Sequence, residues 1–277
     1  MRIALVLHPN RDSSSEIAAK VAAAAAERGI EVTVSELDAS RVPSATPRGQ
    51  DADLDADFIV AVGGDGTVLQ AARMARISGI PILGINAGTV GFLAEADPSR
   101  IGDALDSLRD GNYRISPRMT LRAELPDGTT ADALNDVVVE KVVSQHVVSI
   151  TVSVGGQKLA EYRSDAIIVA TPTGSTAYTF SAGGPLVDPE LDSLVMTAVA
   201  PHNLFGRAIV FGAAVTLDLL VSSDRPARVN VDGRAQADLS PGDLVRVARG
   251  PDPVRLVRLS PSNFARTVKE KFHLHDA

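Results

Sequence analysis

The sequence predicts an α/β domain with a parallel sheet, then a β-rich, sandwich-like domain, and a last helix that returns to the first domain. Three observations predict this. In the first part, short apolar runs alternate with Ala-rich or amphipathic stretches, which is typical of βαβ units. Later, many short Val-, Ile- and Thr-containing segments are separated by turn signals. An amphipathic segment closes the chain.

The elements of the first part follow from their apolar patterning. The strands are mostly continuous apolar runs, as expected for strands buried on both faces of a sheet. The first helix has Ser at its start and Gly29 after its end, the usual start and stop signals. In chain order we expect strand Ile3–Leu7, helix Ser13–Arg28, strand Glu31–Glu36, a surface loop over Asp38–Asp57, strand Phe58–Val62, helix Val68–Ser78, strand Pro81–Ile85 and helix Pro98–Asp110. This order predicts a Rossmann-like domain.

The second part is divided by turn signals into short strands. The signals are Pro126-Asp127-Gly128, Gly155-Gly156, Ser223–Pro226 and Ser240–Asp243. The final segment, Asn263–Leu274, has one apolar helical face that needs a surface to pack against. We therefore expect an α/β domain over residues 1–115, with residues 260–277 packed back on it, and a β-sandwich-like domain over residues 116–259.

Composition narrows the classes of function. The chain has no Cys, which excludes disulfides, a thiolate nucleophile and Cys-ligated metals. The net charge is −7 with no long basic block, so we expect no nucleic-acid partner. The apolar run after Met1 is too short for a signal peptide, and no stretch reaches the ~20 apolar residues of a membrane span. We expect a cytoplasmic protein without a membrane partner.

The strongest motif is Gly63-Gly64-Asp65-Gly66-Thr67, between a buried strand and the start of a helix. Ligands bind beyond the carboxyl ends of strands in such sheets, and glycines with free helix amides suit a phosphate. No Lys-Ser/Thr follows, so this is not a P-loop. A carboxylate beside a phosphate can accept the proton of an attacking hydroxyl or hold a metal. The alternative is a tight turn in which Asp65 only caps the helix.

A second cluster, Thr171-Pro172-Thr173-Gly174-Ser175-Thr176-Ala177-Tyr178, follows the apolar strand Ala166–Ala170. Its hydroxyl groups suit hydrogen bonds to ribose and base edges, and Tyr178 adds a flat face with a polar tip. An ordinary Ser/Thr-rich loop is the alternative. Gly183-Gly184-Pro185 is consistent with a bend beside the same pocket.

Two polar pairs complete the candidates. Asn135 and Asp136 interrupt an apolar strand, so their side chains point to opposite faces and one meets the interior or a ligand. An exposed turn or bulge is the alternative. Arg163 and Asp165, two residues apart at a strand start, share a face and form either a ligand clamp or a plain ion pair.

Together these segments resemble the NAD kinase family. The resemblance rests on Gly63–Thr67, Gly84–Leu93, Leu134–Val137, Thr171–Tyr178, Gly183–Pro185 and Pro201-His202, which match in order and spacing across most of the chain. The Gly-Gly-Asp-Gly element also occurs in diacylglycerol and sphingosine kinases and, loosely, in phosphofructokinases. The Thr-Pro-Thr-Gly-Ser-Thr-Ala-Tyr string is much more specific.

The resemblance implies phosphorylation of the adenosine-ribose 2′-hydroxyl of NAD by ATP or polyphosphate with a divalent metal, Mg²⁺ or Mn²⁺. It makes Asp65 the proton acceptor and the β-rich domain the NAD-binding domain. The implied binding residues are Gly63, Gly64, Gly66, Thr67, Asn86, Asn135, Asp136, Arg163, Asp165, Ser175, Thr176, Ala177, Tyr178, Ser181 and Arg234. It further implies a homo-oligomer, a dimer or tetramer, in which Asp165 acts across an interface.

The chain departs from the family pattern at three positions. Asp136 and Arg234 stand where many members have Glu and Gln, and Ala166 stands where Gly is frequent. The Asp136 side chain is shorter than that of Glu, so it should keep the contact with a different reach. Arg234 could bind a phosphate in place of the contact that Gln makes. Two other functions stay open. A lipid kinase would share Asp65 and its glycines, although the Thr171–Tyr178 string argues against it. A dinucleotide-binding regulator without catalysis is the second, and an intact Asp65 disfavours it.

Overall fold

The computed structural model describes residues 1–49, 54–76, 78–88, 91–261 and 263–274. The chain forms two compact units, Met1–Pro117 with Val254–Ala277, and Arg118–Pro253. The chain leaves the second unit earlier than the predicted boundary at residue 259, because Val254–Arg258 is a strand of the first unit's sheet. A short strand of Val and Leu has the same hydropathy pattern in either sheet. Its pattern therefore could not show to which of the two units it belongs.

The described residues form nineteen strands and five α-helices. The strands are β1 (Arg2–Leu7), β2 (Glu31–Ser35), β3 (Thr46–Arg48), β4 (Phe58–Gly63), β5 (Ile82–Asn86), β6 (Arg114–Arg118), β7 (Leu121–Glu124), β8 (Thr130–Ala133), β9 (Asp136–Lys141), β10 (Val148–Val154), β11 (Gln157–Ser164), β12 (Ala166–Ala170), β13 (Ser193–Val199), β14 (Ile209–Gly212), β15 (Leu217–Val221), β16 (Ala227–Val231), β17 (Arg234–Leu239), β18 (Leu244–Arg249) and β19 (Val254–Arg258). The helices are α1 (Asp12–Ala26), α2 (Asp65–Ala75), α3 (Ile101–Asp110), α4 (Tyr178–Ser181) and α5 (Phe264–Lys271).

The first unit is built on a seven-stranded sheet in the order β3-β2-β1-β4-β5-β19-β6. Neighbouring strands from β3 to β19 run parallel. All residues of β4 are buried, which confirms the prediction from its continuous apolar run. Helix α1 packs an Ala-rich face on this core, where small side chains allow close approach to the sheet. Arg28, just after α1, donates two hydrogen bonds of 3.0 Å to Asp106 of α3.

Two details of the first unit differ from the prediction. The segment expected to be a loop over Asp38–Asp57 contains the end of a 3-10 helix, Glu36–Arg41, and the edge strand β3, while residues 50–53 lie outside the described part. Helix α2 begins at Asp65 rather than Val68 and ends at Ala75. The helix therefore includes Asp65, Gly66 and Thr67, the last three residues of the glycine-rich motif, where the glycines had favoured a turn.

The second unit is a sandwich of antiparallel strands. One six-stranded sheet has the order β11-β10-β15-β18-β7-β8, and the other has β14-β13-β12-β9-β16-β17. The alternating residues of both inner faces form one core that includes Val137, Val139, Ile167 and Val169. On the outer face of the second sheet, Val138 and Ile168 belong to a smaller apolar cluster beneath the segment that contains α4. The predicted sandwich is confirmed.

The C-terminal helix belongs to the first unit, as predicted. Asn263 caps α5 by accepting a 3.0 Å hydrogen bond from the N–H of Arg266. Just after the helix, the ring of Phe272 lies 6.1 Å from the ring of Phe92, centroid to centroid. The Lys271 ammonium lies 5.8 Å from the Phe92 centroid, within the range of a cation–π contact. No helix of the described residues is long and apolar enough to cross a membrane.

Candidate functional site

The first group of candidate residues lies where the strand order of the first unit reverses direction. Strand β1 has β2 on one side and β4 on the other, so the chain switches direction at the carboxyl ends of β1 and β4. Such a switch point opens a crevice for ligands in doubly wound sheets. The N–H of His8, which follows β1, donates a 3.1 Å bond to the carbonyl of Val62 in β4. The segment after β1 therefore stands beside the glycine-rich turn.

The glycines of this turn serve two different purposes. A Cβ at Gly63 would collide with the Thr67 side chain, so Gly63 is required for packing. Thr67 itself is buried, and its hydroxyl has no hydrogen-bond partner in the described structure. By contrast, no atom lies within 4 Å of the place where a Cβ on Gly64 or Gly66 would stand. The space above the start of α2 is open to a ligand, while the Thr67 side chain points inward.

The Asp65 carboxylate braces a neighbouring loop. Its Oδ2 accepts the N–H of Phe92 and its Oδ1 accepts the N–H of Leu93, each at 3.0 Å. A Cβ at Gly91 would collide with this carboxylate, so Gly91 lets the loop approach. Asp65 does not cap α2, because the cap position is Gly64 and no side chain bonds there. A carboxylate has about four acceptor sites, so two remain for a substrate hydroxyl.

Asn86 ends β5 beside Gly63 of β4. Its amide closes a small turn by donating to the Gly88 carbonyl at 2.9 Å and accepting the Gly88 N–H at 3.2 Å. The Asn86 amide is therefore engaged locally. Arg11, which precedes α1, places its guanidinium against Gly88. Thr89 and Val90, part of the sequence segment that resembles the family, lie outside the described residues.

The second group lies in the sandwich, where the backbone of Leu134–Asp136 is held from two sides. On one side, the Asp232 carboxylate accepts the N–H groups of Leu134, Asn135 and Asp136 at 2.9, 2.7 and 3.2 Å. On the other side, Thr171 donates its N–H to the Asn135 carbonyl at 2.9 Å and its hydroxyl to the Leu134 carbonyl at 2.6 Å. The Asn135 side chain forms no hydrogen bond to the described residues, which leaves its amide for a ligand.

Asp136 is a buried carboxylate with a like charge beside it. Its side chain starts β9 on the outer face of the sheet, and the residue is 6% exposed. Burial, followed by the negative charge of Asp232, raises the pKa of Asp136 from 3.8 to about 7. Asp136 therefore changes its charge near neutral pH, which ordinary carboxylates do not.

Several carboxylates surround Tyr178, the first residue of α4. Burial raises the pKa of Tyr178, and three nearby carboxylates raise it further, those of Glu140, Asp165 and Asp136. Lys141 partly offsets this charge through a 2.5 Å ion pair with Asp165. The arrangement offers hydroxyl acceptors beside an aromatic ring that is 41% exposed. Ribose hydroxyls are donors that such acceptors bind well.

The residues around Tyr178 divide into buried and accessible positions. Ser175 is buried, and its hydroxyl both accepts the Val187 N–H at 3.0 Å and donates to the Val187 carbonyl at 3.3 Å. These two hydrogen bonds of Ser175 stabilise the conformation of the loop. Thr176 donates its hydroxyl to the Thr173 carbonyl at 3.1 Å and is half-buried, as is Ala177. Ser181 at the end of α4 is exposed.

The alternation argument for Arg163 and Asp165 was wrong. Arg163 lies in β11 of one sheet, and Asp165 is the connection to β12 of the other sheet. The two positions are not alternate residues of one strand, so no shared face follows from their spacing. Arg163 is exposed, with its backbone bonded to Asn203 and His202. The clamp between Arg163 and Asp165 is absent from the described contacts, and Asp165 pairs with Lys141 instead.

Asp232 and Gly233 form the tight turn between β16 and β17, and Arg234 follows this turn. Arg234 is exposed at the first position of β17, where its guanidinium is available to an anion. Asp232 and Gly233 have φ angles of 46° and 71°, which Gly and Asp tolerate better than most residues. The hydrogen bonds of Asp232 could not be predicted from the sequence. Its Asp-Gly turn signal was visible, but its hydrogen bonds to residues almost a hundred positions away carry no local pattern.

The described part of the chain holds no cluster of metal-ligating side chains. Among the described residues, no group of three or more His, Cys, Asp or Glu side chains is placed to hold a metal ion. Isolated carboxylates such as Asp65 can still complement a metal that arrives with phosphate ligands, because Mg²⁺ retains waters and substrate oxygens in such sites.

Comparisons with known proteins agree with the two-unit architecture. The family model for the ATP-NAD kinase N-terminal domain matches residues 3–113, and that for the ATP-NAD kinase C-terminal domain matches residues 134–259. NAD kinase of Heliobacterium modesticaldum is 39% identical over 97% of this chain and 97% of its own length. NAD kinase 1 of Streptomyces coelicolor is 38% identical over 100% of this chain and 86% of its own length.

Two solved structures share the fold. Yeast NADH kinase complexed with NADH superposes with a TM-score of 0.89 at 23% identity, covering 100% of this chain and 89% of that chain. An NAD kinase from Archaeoglobus fulgidus in complex with ATP has a TM-score of 0.72 at 26% identity, covering 99% and 97% respectively.

Proposed function

Because this chain belongs to the NAD kinase family, we propose that it transfers a phosphoryl group from ATP or polyphosphate to the adenosine-ribose 2′-hydroxyl of NAD. The product is NADP, and the enzyme is a phosphotransferase with an alcohol group as acceptor. The observation that carries the proposal is Asp65, a carboxylate held by two backbone N–H groups at the switch point of the sheet.

Asp65 is the proton acceptor in this proposal. A ribose hydroxyl is a weak acid, so a carboxylate cannot deprotonate it before the reaction starts. In a loose phosphoryl-transfer transition state, the carboxylate holds the hydroxyl in line and receives its proton late. The bonds from Phe92 and Leu93 fix the carboxylate and leave acceptor sites for that hydroxyl. Most of the rate acceleration then comes from positioning.

The phosphates of the donor are assigned to the start of α2. The open space at Gly64 and Gly66 lets phosphate oxygens approach the backbone, and the first N–H groups of a helix are not used within it. Thr67 supports this turn from inside through its packing on Gly63. A divalent metal, which the family resemblance implies, would be held mainly by oxygens of the donor phosphates and would neutralise their charge.

The hydroxyl and amide groups of NAD are assigned to the sandwich residues. The free Asn135 amide can bond a base edge or a ribose hydroxyl, and Asp136 accepts ribose hydroxyls when it is ionised. Tyr178 offers its exposed ring as a stacking surface. The remaining proposed contacts are Thr176, Ala177, Ser181, Asp165 and Arg163, with Arg234 placed on a phosphate.

The state of assembly and the location are also parts of the proposal. We take the protein to be a cytoplasmic homo-oligomer in which Asp165 of one subunit contributes to the NAD bound by another. The partly exposed pair of Asp165 and Lys141 supports this, because its modest ion-pair energy leaves Asp165 available to a ligand.

The activity is tested by incubating the protein with NAD, ATP and Mg²⁺ and following the product with an NADP-specific dehydrogenase. We expect NADP to form, and a parallel reaction with polyphosphate in place of ATP tests which donor is used. Diacylglycerol and sphingosine in place of NAD should give no phosphorylated lipid. Phosphorylated lipid without NADP would assign the site to a lipid kinase, and tight NAD binding without any product would indicate a regulator.

A further inference from the structure

The hairpin turn between β16 and β17 reaches across to the strand that carries the candidate NAD contacts. Asp232 receives three successive backbone N–H groups from Leu134–Asp136. In return, its own N–H donates a 3.0 Å bond to the Asp136 carbonyl. A row of N–H groups around one carboxylate makes strong, charge-assisted hydrogen bonds. The turn and the start of β9 are therefore locked together.

These hydrogen bonds fix the point on the backbone from which the Asn135 side chain extends. The Asn135 backbone is bonded to Asp232 on one side and to Thr171 on the other. Gly174 presses on the same peptide, because a Cβ there would collide with the Asn135 carbonyl. With its backbone fixed, Asn135 has only its two side-chain torsions left to order when a ligand binds its amide, which lowers the entropic cost of binding.

We infer that Asp232 is a positioning residue, which touches no substrate but fixes the backbone of Asn135 and Asp136 and places a second carboxylate beside the Asp136 side chain. The inference rests on the proposed function, since it assumes that these two side chains meet NAD. It assigns to the Asp232 carboxylate a role beyond that of a turn residue.

The second part of this role is electrostatic. Asp232 faces Asp136 from the β16–β17 turn, and its negative charge adds to the effect of burial in raising the pKa of Asp136 to about 7. Tyr178 faces Asp136 from α4, and beyond it stand Glu140 and Asp165. Removing the charge of Asp232 while keeping its size should therefore lower the pKa of Asp136.

Asp232→Asn is the test variant, because Asn keeps the shape and tolerates the positive φ of 46°. Its amide nitrogen cannot accept a hydrogen bond, so part of the set of three bonds from the N–H groups of Leu134–Asp136 is lost. Asp232→Ala removes all three of these hydrogen bonds. Asp243→Asn is the matched control, since Asp243 also accepts a backbone N–H in a turn of this unit, that of Ser240 at 2.7 Å.

The measurements are KM for NAD and kcat from about pH 5 to about pH 9. We expect Asp232→Asn to raise KM for NAD on the order of tenfold, with a smaller change in kcat. If ionised Asp136 binds NAD, the wild-type KM falls as pH rises through about 7. In Asp232→Asn that fall should move to lower pH. Asp243→Asn should match the wild type in both respects.

Backbone amide exchange supplies a readout that does not need activity. The N–H groups of Leu134, Asn135 and Asp136 should exchange faster in Asp232→Ala than in the wild type, while those of β13 keep their protection. A folded Asp232→Asn protein with wild-type KM, pH profile and amide exchange would overturn the inference. Absence of NADP formation by the wild type would instead refute the proposed function, and amide exchange would still test the lock.

Discussion

Asn135 is the residue whose substitution separates binding from folding most cleanly. Its side chain has no hydrogen-bond partner among the described residues, so Asn135→Ala removes no bond that the fold uses. We expect KM for NAD to rise by a factor that corresponds to roughly 1–3 kcal/mol, with a smaller effect on kcat. The melting temperature should stay close to that of the wild type. An unchanged KM in steady-state kinetics would make Asn135 a structural residue.

Asp136 links the site to the stability of the sandwich. Its pKa is raised from 3.8 to about 7 in the folded protein, so the folded state holds a proton that the unfolded state releases. The stability from this group is complete at low pH and is lost as pH rises through about 7. Asp136→Asn cannot ionise and escapes this loss.

The pH dependence of unfolding tests this point. Asp136→Asn should match the wild type near pH 4 and exceed it above about pH 7, by at most about 4 kcal/mol for a shift of about three pKa units. Denaturant unfolding at a series of pH values measures the difference. A constant difference between the two proteins at all pH values would show that Asp136 ionises normally.

Helix α5 is the element tied most directly to the loop that Asp65 holds. The ring of Phe272 contacts Phe92, and the backbone N–H of Phe92 is bonded to Asp65. Phe272→Ala should lower stability by about 0.5–1.5 kcal/mol for the lost aromatic contact. It should also lower kcat several-fold by loosening the loop, with KM for NAD nearly unchanged.

The control for Phe272→Ala, which changes the residue just after α5, lies in the last turn of α5 itself. Glu270→Ala breaks only an exposed pair with Arg266, worth about 0.3–0.5 kcal/mol. It should leave kcat as in the wild type. Equal kcat in Phe272→Ala and Glu270→Ala proteins would show that α5 has no influence on Asp65.

Much of the element content could be predicted from the sequence, and the exceptions have physical reasons. Continuous apolar runs placed β1, β4 and β5, and the glycine motif was found at a strand end. Strand β3 has three residues and lies at an edge, so its pattern is too short to recognise. The turn of the chain from one sheet to the other at Asp165 leaves no periodic signal.

The residues of the candidate site could be proposed from the sequence, whereas most of the hydrogen bonds between them could not. Local motifs identified Asp65, Asn135 and Asp136. The bonds of Asp65 to Phe92 and Leu93, and of Asp232 to Leu134–Asp136, join residues far apart in the chain. Hydropathy patterns report burial and periodicity, not such pairings. The raised pKa of Asp136 depends on burial and on Asp232, so it could not be predicted from the sequence either.

At the scale of the whole molecule, the account predicts that activity depends on assembly. If Asp165 acts on the NAD of a neighbouring subunit, a mixture of Asp65→Asn and Asp165→Ala proteins should recover part of the activity that each lacks. Specific activity should also fall on dilution below the dissociation constant of the subunits. Loss of the partly exposed pair with Lys141 explains at most ~1 kcal/mol of stability in Asp165→Ala.

Sedimentation of the same samples provides the comparison. Activity that stays proportional to enzyme concentration across the measured dissociation range, with no recovery in the mixture, would reject a shared site. Arg163 lies in β11 whereas Asp165 lies in the connection to β12, so the mixture tests Asp165 alone.

The most direct measurement of the central claim is the rate of NADP formation by Asp65→Asn protein. The control is Asp97→Asn, because Asp97 also accepts a backbone N–H in the first unit, that of Ser99 at 2.9 Å. We expect kcat to fall at least ~100-fold in Asp65→Asn, with the fold and NAD binding largely intact, and to stay at the wild-type value in Asp97→Asn. Near-wild-type turnover by well-folded Asp65→Asn protein would contradict the assignment of Asp65 as the proton acceptor.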